Sequence, residues 1–176
     1  MFFHFKCKGD VMENLAELTL EVVELLNTES YLVDRGMWDE WLDLFSQDCE
    51  YWLPAWESDT KLVTNPQKEI SLIYYSDRTG LEDRVFRLRT GSVSSATPMP
   101  RTVHLTSGVR ILAALGPTVE VAASWACHWA WRKEFNTYAG QYEYTLERVD
   151  GALKIKRKKI VLINDLIPTV LDFYHI

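Results

Sequence analysis

Cysteine, histidine, glycine and positive charge are all sparse in this 176-residue chain, and each shortage removes a class of function. The three cysteines, Cys7, Cys49 and Cys127, are widely spaced and odd in number. That pattern speaks against a disulfide framework and for a reducing compartment. There is no Cys-x-x-Cys, and no two of the four histidines (His4, His104, His128, His175) stand at the spacing that places two metal ligands on one helix face. The four placed ligands of an iron–sulfur cluster are missing as well. The eight glycines are scattered, so neither a phosphate-cradling loop nor a nucleophile elbow is present. Nineteen Lys and Arg against 25 Asp and Glu give a net charge of −6, the opposite of a nucleic-acid binder's surplus. No apolar run approaches the roughly 20 residues of a membrane helix. The opening MFFHFKCKGDV is too short and too interrupted for a signal sequence. A cytoplasmic location is the expectation.

What is present suits an ordinary globular fold, with 47% hydrophobic and 25% charged residues. The length fits one domain. Residues 1–12 are expected to form a poorly ordered extension, and residues 13–176 a single domain.

Helical spacing marks Glu13 to Leu32, with Leu15, Leu18, Val22, Leu25, Leu26 and Leu32 on one face. Asp34-Arg35-Gly36 breaks it. A second short helix places Met37, Trp38, Trp41, Leu42 and Phe45 together. Cys49 to Trp56 predicts a strand, which Pro54 puts at an edge or a bend. Glu69 to Tyr75 reads as extended, and Thr79 to Arg89 as a third helix with Leu81, Val85, Phe86 and Leu88 inward. Gly91 to Pro100 is a loop. Long strands follow over Arg101–Leu115, Thr118–Glu134, Tyr138–Val149 and Ala152–Leu166. In the second of these Val119, Val121, Ala123, Trp125, Cys127, Trp129 and Trp131 share a face. Asp150-Gly151 between two alternating runs is a tight hairpin signal. Pro168 closes the last strand, and the tail Thr169–Ile176 is apolar. Helices followed by long antiparallel strands give an α+β domain with a strongly curved sheet.

Candidate chemistry is thin. Cys127 and His128 are strand neighbours and face opposite ways, so they cannot readily grip one metal. The basic run Lys154 to Lys159 reads as a solvated strand surface or a lysine-protected edge. The segment Trp38 to Tyr51 resembles the opening signature of the NTF2-like, or SnoaL-like, fold: a cone in which the sheet wraps three helices. Some members of that fold are isomerases or dehydratases that use a buried carboxylate or a His–Asp pair. On that alternative reading Asp48, Tyr51, His104 and His128 are the acid–base candidates.

A longer resemblance covers about Leu15 to Ile176. EISLIYYSDRTGLEDRVFRLRTG, Glu69 to Gly91, resembles the signature helix region of aromatic-ring-hydroxylating dioxygenase β subunits. PRTVHL, Pro100 to Leu105, and DLIPTVLDFYHI, Asp165 to Ile176, are similar to that family's later strand and ending. EYWLPAW, Glu50 to Trp56, is similar to the benzoate and anthranilate branch. The resemblance implies a non-catalytic structural subunit with no cofactor of its own. It implies a partner α subunit holding a Rieske [2Fe-2S] cluster and a mononuclear Fe(II), fed from NADH through a separate reductase, in a trimer of αβ units. On this reading Trp52, Trp56, Arg84, Arg101, Phe173 and Tyr174 are the candidate interface residues.

Overall fold

The computed structural model describes residues 9–91, 93 and 96–176, with side chains from Leu15 onward apart from those gaps. Helix α1 spans Gly9–Asp34. Residues 9–12 of the expected extension are therefore helical, and residues 1–8 lie outside the described part. The buried stripe of α1 is Val22, Leu25, Leu26, Glu29, Leu32 and Val33, at the i, i+3, i+4, i+7 spacing of one helix face. Leu15, expected on that stripe, is 53% exposed, because burial begins only a turn later, around Leu18.

A short α2, Trp38–Leu42, leads into β1, Phe45–Pro54. Phe45 thus belongs to the strand, not the helix. The pairing of β1 shifts register at Leu53/Pro54, so Pro54 marks a bend at the strand end. Strands β2 (Trp56–Ser58) and β3 (Lys61–Leu62) form a small separate hairpin. Then come β4 (Ser71–Tyr75) and α3 (Thr79–Arg89). Leu81 and Val85 of α3 are buried and Leu88 packs on the core. Phe86, expected inward, is 64% exposed, since it sits about 100° round the helix from Val85.

The main sheet is completed by β5 (Arg101–Leu115), β6 (Thr118–Trp131), β7 (Glu134–Val149) and β8 (Ala152–Leu162). Its strand order is β4-β1-β8-β7-β6-β5. Every pairing is antiparallel except β1 with β8. Bulges interrupt β5 between Ser107 and Arg110, where Gly108 has φ +62°, and again between Ile111 and Ala113. Another shift divides β7 at Thr145/Leu146. Each extra residue sharpens the local twist, and together they curl the sheet. Its inner face carries the expected stripe of β6, buried from Val119 through Trp129 on alternate residues, and α1 packs into the hollow against β5 and β8.

The tail does not lie outside. Asp172 caps a 3-10 turn, Phe173–His175, and Phe173, Tyr174, His175 and Ile176 are 2% exposed or less. Phe173 stacks on Trp41 at 4.7 Å and meets Trp38 edge-on at 5.5 Å. Phe173 and Tyr174 were expected at a partner interface; they are core residues of this chain, and so is Trp52 at 2% exposure. An apolar tail finds the nearest uncovered hydrophobic surface, and here that surface is the mouth of the chain's own hollow.

Candidate functional site

Two polar groups of α1 reach into the hollow. Glu29 occupies a core position of the helix stripe. Its carboxylate accepts from the Lys158 ammonium at 2.8 Å and from the Tyr144 hydroxyl at 2.7 Å. The Lys158 and Glu29 side chains are 4% and 5% exposed, and the ammonium lies 4.2 Å from the centre of the Tyr142 ring. Burial pulls the Lys158 pKa below its ordinary value against the opposing pull of Glu29, and burial beside Glu29 pushes the Tyr144 hydroxyl well up. Removing either ion would leave a buried charge without its counter-charge, which costs about 3–5 kcal/mol.

Asp34, at the end of α1, holds strand β5. It accepts from the His104 ring Nδ1 at 2.6 Å, the His104 backbone N–H at 2.9 Å and the Thr102 hydroxyl at 2.8 Å. Burial alone would raise its pKa; these donors outweigh burial and hold it below the usual carboxylate value. The Nε2 of His104 is buried and meets no hydrogen-bond partner among the described residues. Between the two polar groups Glu29, Ser30, Val33, His104, Tyr142, Lys158 and Ile176 line a space of about 10 Å³. That is room for one water at most, against the roughly 300–1,000 Å³ of small-molecule sites.

The tail closes this space with its own polar lock. The Arg84 guanidinium of α3 bonds both Asp172 oxygens, one of them at 3.2 Å. Asp172 accepts from the Phe173 N–H at 2.9 Å, and its own N–H donates to His175 Nδ1 at 3.3 Å. Burial and the nearby His104 push the His175 pKa down to about 3, so the ring is the neutral acceptor that this bond requires. Arg84, expected at a partner interface, is here committed to the tail.

The four acid–base candidates do not converge. Asp48 is exposed and paired with Lys156 on the outer surface. Tyr51 is fully buried, and its hydroxyl has no hydrogen-bond partner among the described residues. His104 faces inward on Asp34, whereas His128 is on the other face of the sheet, bonded to the Thr137 hydroxyl at 2.8 Å and stacked on Phe135. Sequence reading missed Asp34, Glu29 and Lys158. A glutamate at a core position of the α1 stripe was the available signal for Glu29.

Lys158 carries a correction to the reading of the basic run. Arg157 pairs with Glu50, Lys159 with Glu143 and Lys156 with Asp48, so these side chains are a neutralised outer surface. The bulge opposite Thr145/Leu146 inserts one residue between Ile155 and Lys158. Inward positions therefore switch from Leu153 and Ile155 to Lys158, Ile160 and Leu162. Strand β8 is central, not an edge.

Larger hollows of about 360 and 340 Å³ are open clefts near α2 and α3, and charged side chains that line the first pair with one another, Asp39 with Arg89 and Arg78 with Glu82. Among the described residues no three His, Cys, Asp or Glu side chains gather as a metal-holding group. Cys49 is buried and its thiol is pushed up to about 12, and burial pushes Cys127 up as well; neither presents a thiolate. These donors do not fit a cluster or a mononuclear iron. No helix of the described residues is long and apolar enough to cross a membrane.

Known proteins share both the sequence and this architecture. The chain is 42% identical to the small subunit of 2-halobenzoate 1,2-dioxygenase from Burkholderia cepacia over 165 residues, 94% of this chain and all of that one. It is 39% identical to the anthranilate 1,2-dioxygenase small subunit of Acinetobacter baylyi over 160 residues, 91% of this chain and 98% of that one. The crystal structure of the benzoate 1,2-dioxygenase β subunit from Burkholderia mallei superposes with a TM-score of 0.74 at 36% identity, covering 88% of this chain and 95% of that one. An NTF2-like protein with a cystatin-like fold from Novosphingobium aromaticivorans has a TM-score of 0.63 at 13% identity, over 93% and 94% of the two chains, a likeness of fold alone. The family model described as ring hydroxylating beta subunit matches residues 28–169. The chain belongs to the ring hydroxylating β subunit family, on the NTF2-like α+β cone.

Proposed function

We propose that this chain is the non-catalytic, structural small subunit of a cytoplasmic aromatic-ring-hydroxylating dioxygenase whose substrate is an aromatic carboxylate. Its partner is the α subunit, in a trimer of αβ units. That α subunit carries the Rieske [2Fe-2S] cluster and the mononuclear Fe(II), and NADH supplies electrons through a separate reductase. Relatives in the halobenzoate, anthranilate and benzoate systems support the aromatic-carboxylate branch. The observation that carries the structural role is the filled cone: its inner acid–base groups are tied to one another around about 10 Å³, with Ile176 of the tail in the wall. A stand-alone isomerase or dehydratase needs a substrate-sized cavity where this chain has packed side chains.

The test is turnover per assembled complex. A general acid or base contributes about 10²–10⁴-fold. Asp48→Asn, Tyr51→Phe, His104→Gln and His128→Gln are each expected to leave turnover, normalised to assembled and fully metallated enzyme, within about threefold of wild type, well short of that range. A hundredfold loss in fully assembled enzyme would overturn the structural role, as would conversion of a small substrate by this chain alone.

A further inference from the structure

The outer face of the sheet near the β6–β7 turn differs from the rest of the surface. Register places Arg101, Ala130 and Phe135 in one row across β5, β6 and β7, then Val103, His128 and Thr137, then Leu105, Ala126 and Ala139. Ile163 continues the third row through its N–H bond to the Ala139 carbonyl. Residues in one row share a face. The large apolar members are well exposed: Val103 53%, Leu105 50%, Phe135 69% and Ile163 63%. Two of the three β6 residues between them are alanines, Ala126 and Ala130, and the third, His128, stacks on Phe135.

The charge pattern at this end is equally distinct. Farther along the same face Glu143 pairs with Lys159, and Glu50 with Arg157. At this end Arg101 and Lys133 are exposed and no ion pair of the described residues includes either, whereas Arg132 donates to the Thr97 carbonyl at 3.3 Å and lies 4.0 Å from the centre of the Trp131 ring, away from the patch. Glu134 is the one acid between residues 126 and 139. A chain of net charge −6 thus keeps two cations outside any described ion pair beside this apolar surface. An apolar centre with an uncompensated charged rim is the anatomy of a protein interface whose partner supplies the opposite charge.

We infer that this face, centred on Val103, Leu105, Phe135 and Ile163 and bordered by Arg101 and Lys133, docks an apolar, acid-rimmed surface of the α subunit. The inference rests on the structural-subunit reading and adds the surface and the partner's chemistry. A second copy of this chain fits less well, because two cationic rims would face each other.

The experiment measures binding of this chain to the α subunit of its own dioxygenase by titration calorimetry, at low and high salt. Leu105→Glu places a charge in the centre, and Arg101→Glu with Lys133→Glu reverses the rim. Leu20→Glu, on the exposed side of α1, is the control. Each patch variant is expected to bind at least tenfold more weakly, and rim reversal to abolish the weakening of wild-type binding by salt. Leu20→Glu is expected to bind like wild type. Arg101 and Leu105 are on the outer face and Lys133 is exposed in the turn, so circular dichroism and melting of the free chain should be unchanged. Wild-type affinity in Leu105→Glu would overturn the inference while leaving the structural-subunit reading intact. So would loss of self-association, seen by sedimentation, with α binding retained. Absence of any binding by the wild-type chain would overturn both.

Discussion

His175 shows how one residue ties local geometry to the behaviour of the whole chain. Its Nδ1 must accept the Asp172 N–H to close the capping box of the tail, and a protonated ring cannot accept. Burial and His104 lower its pKa to about 3, whereas in an unfolded chain a histidine titrates near 6.5. Between those values the unfolded chain binds a proton that the folded chain refuses. Stability therefore falls as pH drops below about 6.5, with a slope approaching 1.4 kcal/mol per pH unit. Asp34 works in a different window: its lowered pKa contributes stability that is present above about pH 4 and lost as pH falls through the folded value. Comparing pH 7 with pH 5 isolates the histidine. Gln is a natural residue for this position of a capping box. Urea unfolding should show His175→Gln losing about 1–2 kcal/mol less than wild type over that interval. Equal losses would mean that another group carries the pH dependence.

At the scale of elements, two hairpins with the same backbone geometry differ in what they display in sequence. Asp150-Gly151, with φ +51° and +88°, joins Val149 to Ala152 as the alternating runs around it predict. Arg132-Lys133 has φ +48° and +74° and joins Trp131 to Glu134, yet neither residue favours that region, so the strand was read through to Glu134 and the next one begun at Tyr138. The turn persists because β6 and β7 pair in unbroken register along their whole length. Relieving its strain should help: Lys133→Gly is expected to stabilise by about 0.5–1 kcal/mol. The check is a rise in the urea midpoint with an unchanged slope. A fall would show that Lys133 contributes more through its side chain than its backbone costs. The bulge in β8 is the other feature of this scale. Lys154 to Lys159 holds one apolar residue, Ile155, and no residue there announces the extra insertion that turns Lys158 inward.

Over the whole molecule, the tail is the largest revision. The sequence shows an apolar ending and a family likeness, from which an exposed docking segment is the natural expectation. Folded, Phe173 and Ile176 seal the hollow and Arg84 locks Asp172. Burial of side chains such as these contributes roughly 1.5–3 kcal/mol each, and a domain has only about 5–15 kcal/mol in total. Truncation after Asp165 is therefore expected to abolish cooperative melting and near-ultraviolet dichroism in the free chain. A truncated chain that melts like wild type but fails to join the α subunit would restore the docking role of the tail.

Alternation and local turn chemistry were enough to determine α3 to the residue, the buried face of β6, the Asp150-Gly151 hairpin and the opposed faces of Cys127 and His128. These depend on spacing within one element, which the order of residues fixes directly. The partners of Glu29 and Asp34, the inward turn of Lys158 and the fate of the tail were decided only by the folded structure. Each joins groups more than 40 residues apart, or depends on a one-residue shift between paired strands, and neither leaves a periodic trace in the chain.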